Sequence, residues 1–388
     1  MTSSLVGSEM CIRDSNIYDP ESPLSYNMIG GVQIQVYRLV KALSSEEIMQ
    51  DVLSFQKVNM KINNVKFLNS KHSSKIFKSL FCLIKGVELL IKNKYKYNMI
   101  HIHADGGLFP LLFGEIAYIL FNQSIVYTFH CCRNITYKGK GLEILIVPLM
   151  NFIERKCIQH SACSVFLSQD VVDKLIQKKI INEGKYSVIG DTVVTDIKNC
   201  STLKKVQSKE IVFIGRITEQ KGWRIFLDCA RSFKQESYSF KIYGSGPDVK
   251  KMKRAIKKYR LENLKYYGNV PNEKIFDVLI NADIVMIPSL WEELGSIVFE
   301  AGILKKTVVA SKVGALSEIL ADGRGYLAQT GNTDDFYSKL QRAIKDEEKR
   351  GEKLYDYVMK NYSVKKAVKK YMLSLIHISE PTRLDVIS

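Results

Sequence analysis

The sequence predicts an α/β protein made of two doubly wound, parallel-sheet domains. Short apolar runs of strand length alternate with amphipathic runs of helix length along nearly the whole chain, which is the pattern of a parallel sheet with right-handed helical crossovers. This alternation breaks at a polar joint around residues 192–208 and then restarts. Glycines and charged residues gather where the strands end, and such sheets bind ligands at the carboxyl ends of their strands. We therefore expect two domains that face each other across a cleft lined by these junctions.

Hydrophobic periodicity places the individual elements. In the first half it predicts strands at 99–103, 124–129, 164–167 and 186–189, and helices at 32–42, 75–92, 111–120, 142–159 and 170–177. In the second half it predicts strands at 210–214, 239–243, 264–267, 284–287 and 307–310, and helices at 222–232, 248–258, 272–281, 296–303 and 316–321. The predicted domains are residues 16–202 and 203–354.

Both ends of the chain look foreign to this fold. Residues 5–15 and 373–383 resemble one DNA string translated on opposite strands, namely a sequencing-library adapter. We therefore expect residues 1–15 and 373–388 to be adapter-derived artefacts and leave them out of the fold prediction. The natural start would then lie upstream, and the first sheet would lack its first strand.

Composition excludes several classes of protein. The chain is 46% hydrophobic and 25% charged, as globular proteins are, and no apolar run reaches the ~18 residues of a membrane span. Cysteines outside the adapter-like ends, at positions 82, 131, 132, 157, 163, 200 and 229, show no C-x-x-C or metal-ligand spacing. We therefore expect reduced spectator thiols, a cytoplasmic location and no metal site.

The formal charge of +17 does not predict a nucleic-acid partner, because the excess in the first half lies in one stretch. Residues 66–96 hold eight Lys and one Glu. Within them Ile76, Phe77, Leu80, Phe81, Ile84, Val87 and Ile91 recur at helical spacing, so that a basic face would oppose an apolar face. Two interpretations stay open: a helix that packs in its own domain with a solvated basic face, or a helix that docks on an anionic membrane.

Two carboxylates lie eight positions apart across the turn that follows strand 284–287. Glu292 is in the loop after the strand, and Glu300 is in the next helix. The N–H groups of Leu294, Gly295 and Ser296 open that helix and could face an anion, while both carboxylates could accept hydrogen bonds from hydroxyls. A polyhydroxylated phosphate ester fits this array. The plainer interpretation is a loop glutamate and a solvated helix glutamate.

Cations and glycines mark the other strand ends. Arg216 and Lys221 follow strand 210–214, and two cations at the mouth of a sheet suit a diphosphate. Gly244 and the turn at 268–271 follow further strands, where little side-chain bulk lets a ligand approach the backbone. Gly30-Gly31 precedes the first helix of the other half and offers N–H groups. Each feature alone is also common as exposed charge or as a simple turn.

Taken in order, these motifs resemble the family 4 (GT4) retaining glycosyltransferases of GT-B fold. The matching motifs are Gly30-Gly31-Val32, Thr128-Phe129-His130, Gly215-Arg216 with Lys221-Gly222, Tyr243-Gly244-Ser245-Gly246-Pro247, Gly268-Asn269-Val270, Pro288-Ser289 with Glu292, Gly295 and Glu300-Ala301, and Ser311 to Gly314 with Glu318. The resemblance covers nearly all of residues 16–372. The last matching stretch, residues 355–372, resembles the family's last helix, which crosses back to pack on the first domain.

The resemblance implies a role for each site residue. Arg216 and Lys221 would bind the donor diphosphate without a metal, Glu292 would hold the donor sugar, and His130 would lie beside that sugar near the acceptor. These four form the expected catalytic set. The expected donor-binding residues are Gly30, Gly31, Gly215, Gly244, Val270, Leu294, Gly295, Ser296 and Glu300, with Glu300 on the ribose and Val270 on the base.

The resemblance also implies substrates and partners. The donor would be a UDP- or GDP-linked nucleotide-diphosphate sugar, with no separate cofactor, and the acceptor a glycan or a lipid-linked glycan. The expected process is the synthesis of a bacterial surface polysaccharide such as lipopolysaccharide or capsule. If residues 66–96 dock on an anionic membrane, the enzyme would be a peripheral protein at the inner face of the cell membrane.

Three departures from the family pattern leave the donor sugar open. Asp191-Thr192-Val193-Val194 stands where the family commonly has Asn-Gly-Val-Asp, Ala315 replaces the second glycine of a pair, and Leu294 replaces a usual Phe. Two other function classes also stay open. One is another GT-B enzyme, such as an epimerase or phosphorylase, and the other is a non-catalytic nucleotide-sugar-binding protein.

Overall fold

The computed structural model describes residues 3–8, 31–46, 48–54, 62–69, 75–92, 97–104, 107–136, 143–182, 185–190, 209–234, 238–271, 274–345 and 349–379. The chain divides into two compact units, residues 1–192 with 364–388, and residues 193–363. The polar joint around residues 192–208 lies outside the described residues. The sequence analysis placed the corresponding boundaries after residues 202 and 354.

The first unit is built on a parallel sheet with the strand order β3-β2-β1-β4-β5-β6-β7. Its strands are β1 (Ser3–Ser8), β2 (Met49–Ser54), β3 (Val65–Asn69), β4 (Met99–Ala104), β5 (Ile125–Phe129), β6 (Cys163–Phe166) and β7 (Tyr186–Val188). Its helices are α1 (Gly31–Ser45), α2 (Lys75–Lys92), α3 (Leu108–Phe121), α4 (Arg133–Thr136), α5 (Glu143–His160), α6 (Gln169–Gln177) and, from the end of the chain, α14 (Val364–Ser379). All predicted strands and helices of this half are present.

The middle of this sheet differs from the expectation of a missing first strand. Strand β1 pairs in parallel with β2 on one side and with β4 on the other. An interior gap would leave the facing N–H and C=O groups of β2 and β4 unpaired, which is costly for a buried backbone. The apolar pair Leu5-Val6 within β1 has the composition of a strand, and the pairing of β1 with β2 and β4 satisfies the backbone of both neighbours.

Helix α2 has the predicted bounds, but its buried side differs from the expected one. Leu90 and Gly86 are buried and Leu83 and Val87 pack on the core, whereas Leu80, Ile84 and Ile91 are 39%, 59% and 67% exposed. The contact with α3 explains the difference, because a Cβ at Gly86 would lie 2.5 Å from Cε2 of Phe113. The glycine therefore faces α3, and part of the apolar stripe faces outward.

Helix α14 belongs to the first unit. Its Ala367, Val368 and Tyr371 are buried in a cluster with Leu39 and Leu43 of α1. The same cluster includes residues from β4, β5 and β6. The helix closes the core of the first unit over one face of its sheet.

The second unit is a parallel sheet with the order β10-β9-β8-β11-β12-β13. Its strands are β8 (Glu210–Ile214), β9 (Ser239–Tyr243), β10 (Leu264–Gly268), β11 (Ile284–Ile287), β12 (Thr307–Ser311) and β13 (Tyr326–Ala328). Its helices are α7 (Trp223–Ser232), α8 (Val249–Tyr259), α9 (Ile275–Asn281), α10 (Ile297–Ile303), α11 (Ala315–Ile319), α12 (Thr333–Lys345) and α13 (Arg350–Asn361), with a 3-10 turn at Glu219–Lys221 before α7. The order reverses at β8/β11, where doubly wound sheets bind ligands.

Candidate active site

The second unit brings Lys221 and Glu292 together at the carboxyl end of its sheet. Lys221 ends the 3-10 turn that follows β8, and Glu292 lies in the loop that follows β11. The Lys221 ammonium donates a hydrogen bond to Oε2 of Glu292, and Oγ of Ser289 donates to the same oxygen at 3.1 Å. The Glu292 side chain is 11% exposed and the Lys221 side chain 27%. The site therefore contains a partly buried ion pair that ligands can still reach.

The two loops that carry this pair are fastened to each other through their backbones. The Leu290 N–H donates to the carbonyl of Gln220 at 2.7 Å, and the Gln220 amide donates to the carbonyl of Trp291 at 3.2 Å. Gly222 adopts a φ of +68°, and a Cβ there would lie 1.8 Å from the carbonyl oxygen of Pro288. Only glycine allows this approach, so the sequence Lys221-Gly222 holds the cation next to the Glu292 loop.

Arg216, Gly215 and Gly244 lie in the loops at the same carboxyl edge of the second sheet. Arg216 is exposed in the β8 loop. Gly215 donates its N–H to the carbonyl of Tyr243 at 3.0 Å, and a Cβ at Gly244 would lie 1.8 Å from the carbonyl oxygen of Gly215. Gly244 therefore packs the β9 loop against the β8 loop, and its lack of a side chain serves that contact. Val270 is half-buried in the loop after β10.

The turn that opens α10 contains three of the predicted site residues, Leu294, Gly295 and Ser296. Leu294 and Gly295 are buried, Gly295 has a φ of +73°, and Ser296 is the N-cap. Within the described residues, the structure shows no acceptor for the N–H groups of Leu294, Gly295 and Ser296. The loop before them is held by Gly314, because a Cβ there would lie 1.8 Å from the carbonyl oxygen of Glu292. Glu300 is half-buried in the first turn of the helix.

The remaining predicted site residues belong to the first unit. Gly30 lies outside the described residues, and Gly31 begins α1. His130 follows β5 and is half-buried. Its Nε2 lies 3.0 Å from Nδ1 of the buried His103.

His130 is one member of a histidine cluster that the sequence analysis did not anticipate. The ring centroids of His101 and His103 are 4.3 Å apart, and Nε2 of His101 lies 2.8 Å from Oγ1 of the buried Thr128. Thr128 is in turn 3.3 Å from the Tyr371 hydroxyl. The signal was the alternation His101-x-His103 in a buried strand, which places both rings on one face of the sheet.

Burial keeps these histidines neutral. Desolvation lowers the pKa of His130 to about 4. It also lowers the pKa of His101 to about 3, with a further contribution from His130, and that of His103 well below its usual value. At neutral pH, His130 is therefore an uncharged hydrogen-bonding group.

A buried carboxylate organises the loop that follows His130. Glu154 of α5 is fully buried and accepts hydrogen bonds from the N–H groups of Arg133 and Asn134, both at 2.9 Å, and from the Asn134 amide at 2.6 Å. Burial raises the pKa of Glu154 despite these donors. The residue fixes the start of α4, three positions beyond His130. Sequence reasoning missed this role, since Glu154 carries no motif.

No group of three or more His, Cys, Asp or Glu side chains among the described residues could hold a metal ion. Among the same residues, no helix is both long and apolar enough to cross a membrane.

Comparison with known proteins finds a family match within the second unit. Residues 195–360 match the family described as "Glycosyl transferases group 1". The chain is similar to the 2-deoxystreptamine N-acetyl-D-glucosaminyltransferase of Niallia circulans, with 26% identity over 346 residues that cover 80% of this chain and 89% of that protein. It is also similar to an uncharacterized 41.2 kDa protein in the cps region of Klebsiella pneumoniae, with 29% identity over 256 residues, 62% of this chain and 68% of that protein. The chain thus carries a glycosyltransferase group 1 domain and has glycosyltransferase homologues.

Solved structures show the fold. The chain is similar to the sucrose-phosphate synthase of Thermosynechococcus elongatus, with a TM-score of 0.78 and 15% identity over 98% of this chain and 100% of that one. The fold is therefore GT-B, as the sequence analysis predicted.

Proposed function

We propose that the chain is a retaining, GT4-type glycosyltransferase that transfers a sugar from a UDP- or GDP-linked nucleotide-diphosphate sugar. The single observation that carries this proposal is the pairing of Lys221 with Glu292, 71 positions apart, at the switch point of the second sheet. A cation for a diphosphate and a carboxylate for sugar hydroxyls then lie side by side. The glycosyltransferase group 1 domain, in which both residues fall, supports the proposal.

The chemistry assigned to the cations is stabilisation of the leaving group. As the glycosidic bond breaks, negative charge develops on the departing diphosphate, and Lys221 and Arg216 lower the free energy of that state. The three N–H groups at the start of α10 supply further donors near Glu292. Neither contribution requires a metal, so we expect transfer to continue in a chelator.

Retention is assigned by resemblance to the GT4 family. The acceptor hydroxyl would attack the same face of the sugar that the diphosphate leaves, and a phosphate oxygen would take its proton. His130, neutral at pH 7, serves in this scheme as a hydrogen-bonding group for the sugar or the acceptor. Glu300 holds the ribose hydroxyls and Val270 contacts the base.

The proposed acceptor is a glycan or lipid-linked glycan of a bacterial surface polysaccharide. The similarity to a Klebsiella pneumoniae protein in a cps region supports this assignment. The relative in Niallia circulans is named as a transferase acting on 2-deoxystreptamine. A small aminocyclitol acceptor is therefore the alternative to test alongside glycans.

Membrane docking is proposed through the outward sides of α2, α3 and α5 in the first unit. Apolar side chains that are exposed there are Leu80, Ile84 and Ile91 of α2, Ile119 and Leu120 of α3, and Ile146, Leu149 and Phe152 of α5. Lys85 and Lys92 flank the α2 stripe, although each pairs with Glu88. Exposed apolar residues beside basic ones favour an anionic lipid interface.

Lipid binding is measured by sedimentation with anionic vesicles at low and physiological salt. Ile84→Glu with Ile91→Glu should release the protein, whereas Met49→Glu should not, because Met49 is a comparably exposed apolar residue outside these helices. If the unaltered protein ignores anionic vesicles even at low salt, the docking proposal is wrong.

The transferase proposal is tested with a panel of UDP- and GDP-sugars and candidate acceptors, with products read by mass spectrometry. Lys221→Ala and Arg216→Ala should each lower kcat/KM by about 10- to 150-fold, the equivalent of a charge-assisted contact of roughly 1.5–3 kcal/mol. Lys251→Ala is the control, since Lys251 is an exposed lysine paired with Asp248 on α8. Binding of nucleotide sugars without any transfer or hydrolysis would indicate a binding protein. Loss of activity in a chelator, restored by magnesium or manganese, would contradict the metal-free mechanism.

A further inference from the structure

The ion pair between Lys221 and Glu292 has a fixed geometry on the Glu292 side. Oε2 of Glu292 receives both the Lys221 ammonium and the hydroxyl of Ser289, which is 1% exposed. The loop backbone around them is fastened at Gln220, Gly222 and Gly314. The carboxylate thus has little freedom to leave the space in front of Lys221.

A diphosphate bound to Lys221 competes with Glu292 for the charge and the hydrogen bonds of the same ammonium group. If Lys221 turns towards a phosphate, the carboxylate loses its cation while it remains beside a second negative charge. A partly buried carboxylate that has lost its cation raises the free energy of the complex, and a nearby negative charge raises it further. Among the described residues, Ser289 then remains as the donor to Glu292, and the ligand can supply further donors.

An intact nucleotide sugar brings such donors, whereas the free nucleoside diphosphate does not. Sugar hydroxyls can donate to the carboxylate when Lys221 leaves it. Once the sugar has been transferred, those hydroxyls depart with it, and Glu292 again competes for Lys221. The nucleotide sugar can therefore replace the hydrogen bond that Glu292 loses from Lys221, and the nucleoside diphosphate cannot.

We propose that the Lys221–Glu292 pair discriminates the nucleotide sugar from the nucleoside-diphosphate product and thereby promotes product release. This inference rests on the proposed function and assigns Glu292 a second role in it. Ser289 is a positioning residue, because it acts only by holding the Glu292 carboxylate in front of Lys221.

Isothermal titration calorimetry of the full chain with UDP, GDP and the matching nucleotide sugars tests the proposal. The unaltered protein should bind the nucleotide sugar more tightly than the nucleoside diphosphate. Glu292→Gln keeps the shape of the side chain but removes its charge, so the nucleoside diphosphate should bind about tenfold tighter and the nucleotide sugar more weakly. Glu219→Gln is the matched control, since it removes an exposed carboxylate from the same loop as Lys221 and should leave the ratio of the two Kd values unchanged.

A double-mutant cycle separates the pair from simple charge repulsion. The gain in nucleoside-diphosphate affinity from Glu292→Gln should shrink in a Lys221→Met background, because no ammonium is then released. An equal gain in both backgrounds, or an unchanged ratio in Glu292→Gln, would overturn the inference while leaving the transferase proposal intact. If the unaltered protein binds neither kind of nucleotide, the proposed function fails and the inference fails with it.

Discussion

Gly222 is the position at which a single methyl group should separate the two loops of the candidate site. Its φ of +68° is a left-handed conformation, and a Cβ would lie 1.8 Å from the Pro288 carbonyl oxygen. The left-handed conformation costs an alanine about 1 kcal/mol, and forcing atoms into a packed contact costs about 1–3 kcal/mol more. Gly222→Ala should therefore destabilise the second unit by about 2–4 kcal/mol.

Gly268 provides the matched control for this substitution. Its φ is +82°, but a Cβ there would meet nothing within 4 Å. Gly268→Ala should therefore cost only the conformational part, about 1 kcal/mol. The difference between the two variants measures the close approach of the loops.

Urea unfolding followed by tryptophan fluorescence is the suitable assay. The chain has two tryptophans, Trp223 and Trp291, and both lie in the second unit, so their signal reports that unit. Equal destabilisation by Gly222→Ala and Gly268→Ala would refute the claim that the loops dock against each other at Gly222. Gly222→Ala should also weaken nucleotide binding, because it displaces the neighbouring Lys221.

Two further predictions concern the first unit. The folded pKa of His130 lies at about 4 and that of His101 at about 3, below the unfolded value of ~6.5. Between the folded and the unfolded pKa, the unfolded state binds more protons than the folded state. The free energy of unfolding therefore falls as the pH drops from 7 towards 4. At pH 5.5 the loss of unfolding free energy should be on the order of 1 kcal/mol for each histidine. Hydrogen exchange should localise this loss to the first unit, since residues 193–363 contain no histidine. Equal losses in both units would contradict the prediction. Glu154→Ala should destabilise the first unit by about 2–5 kcal/mol in thermal or urea unfolding, because the part-buried N–H of Arg133 and the buried N–H of Asn134 lose their acceptor. Glu154→Gln keeps an acceptor oxygen and should cost less. Equal costs of the two substitutions would show that these hydrogen bonds do not stabilise the unit.

The regular part of the fold could be predicted because its sequence signals are local. Strands β8, β9 and β11 and helix α2 have the predicted bounds, since each is a continuous apolar or amphipathic run. Strand β2 was missed because polar residues interrupt it. Gln50 and Asp51 are buried there, where Gln50 donates to the Val40 carbonyl and Asp51 accepts from Tyr97. Only tertiary partners make such residues compatible with a buried strand.

The sequence analysis named the residues of the candidate site one by one, but the contacts that these residues make with each other could not be predicted. The resemblance singled out Lys221 and Glu292 separately, yet their ion pair depends on loop packing set by Gly222 and Gly314. Likewise, no local pattern showed that His130 would be hydrogen-bonded to His103. These contacts join distant parts of the chain, so composition and periodicity carry no signal for them.

We propose that Lys221 binds the diphosphate of a nucleotide sugar at the switch point of the second sheet. The most direct measurement is the calorimetric Kd of the cognate nucleotide sugar for the unaltered protein, Lys221→Ala and Lys251→Ala. We predict one site per chain, an affinity lowered by about 10- to 150-fold in Lys221→Ala, and no change in Lys251→Ala. Equal affinity in all three proteins would contradict the account.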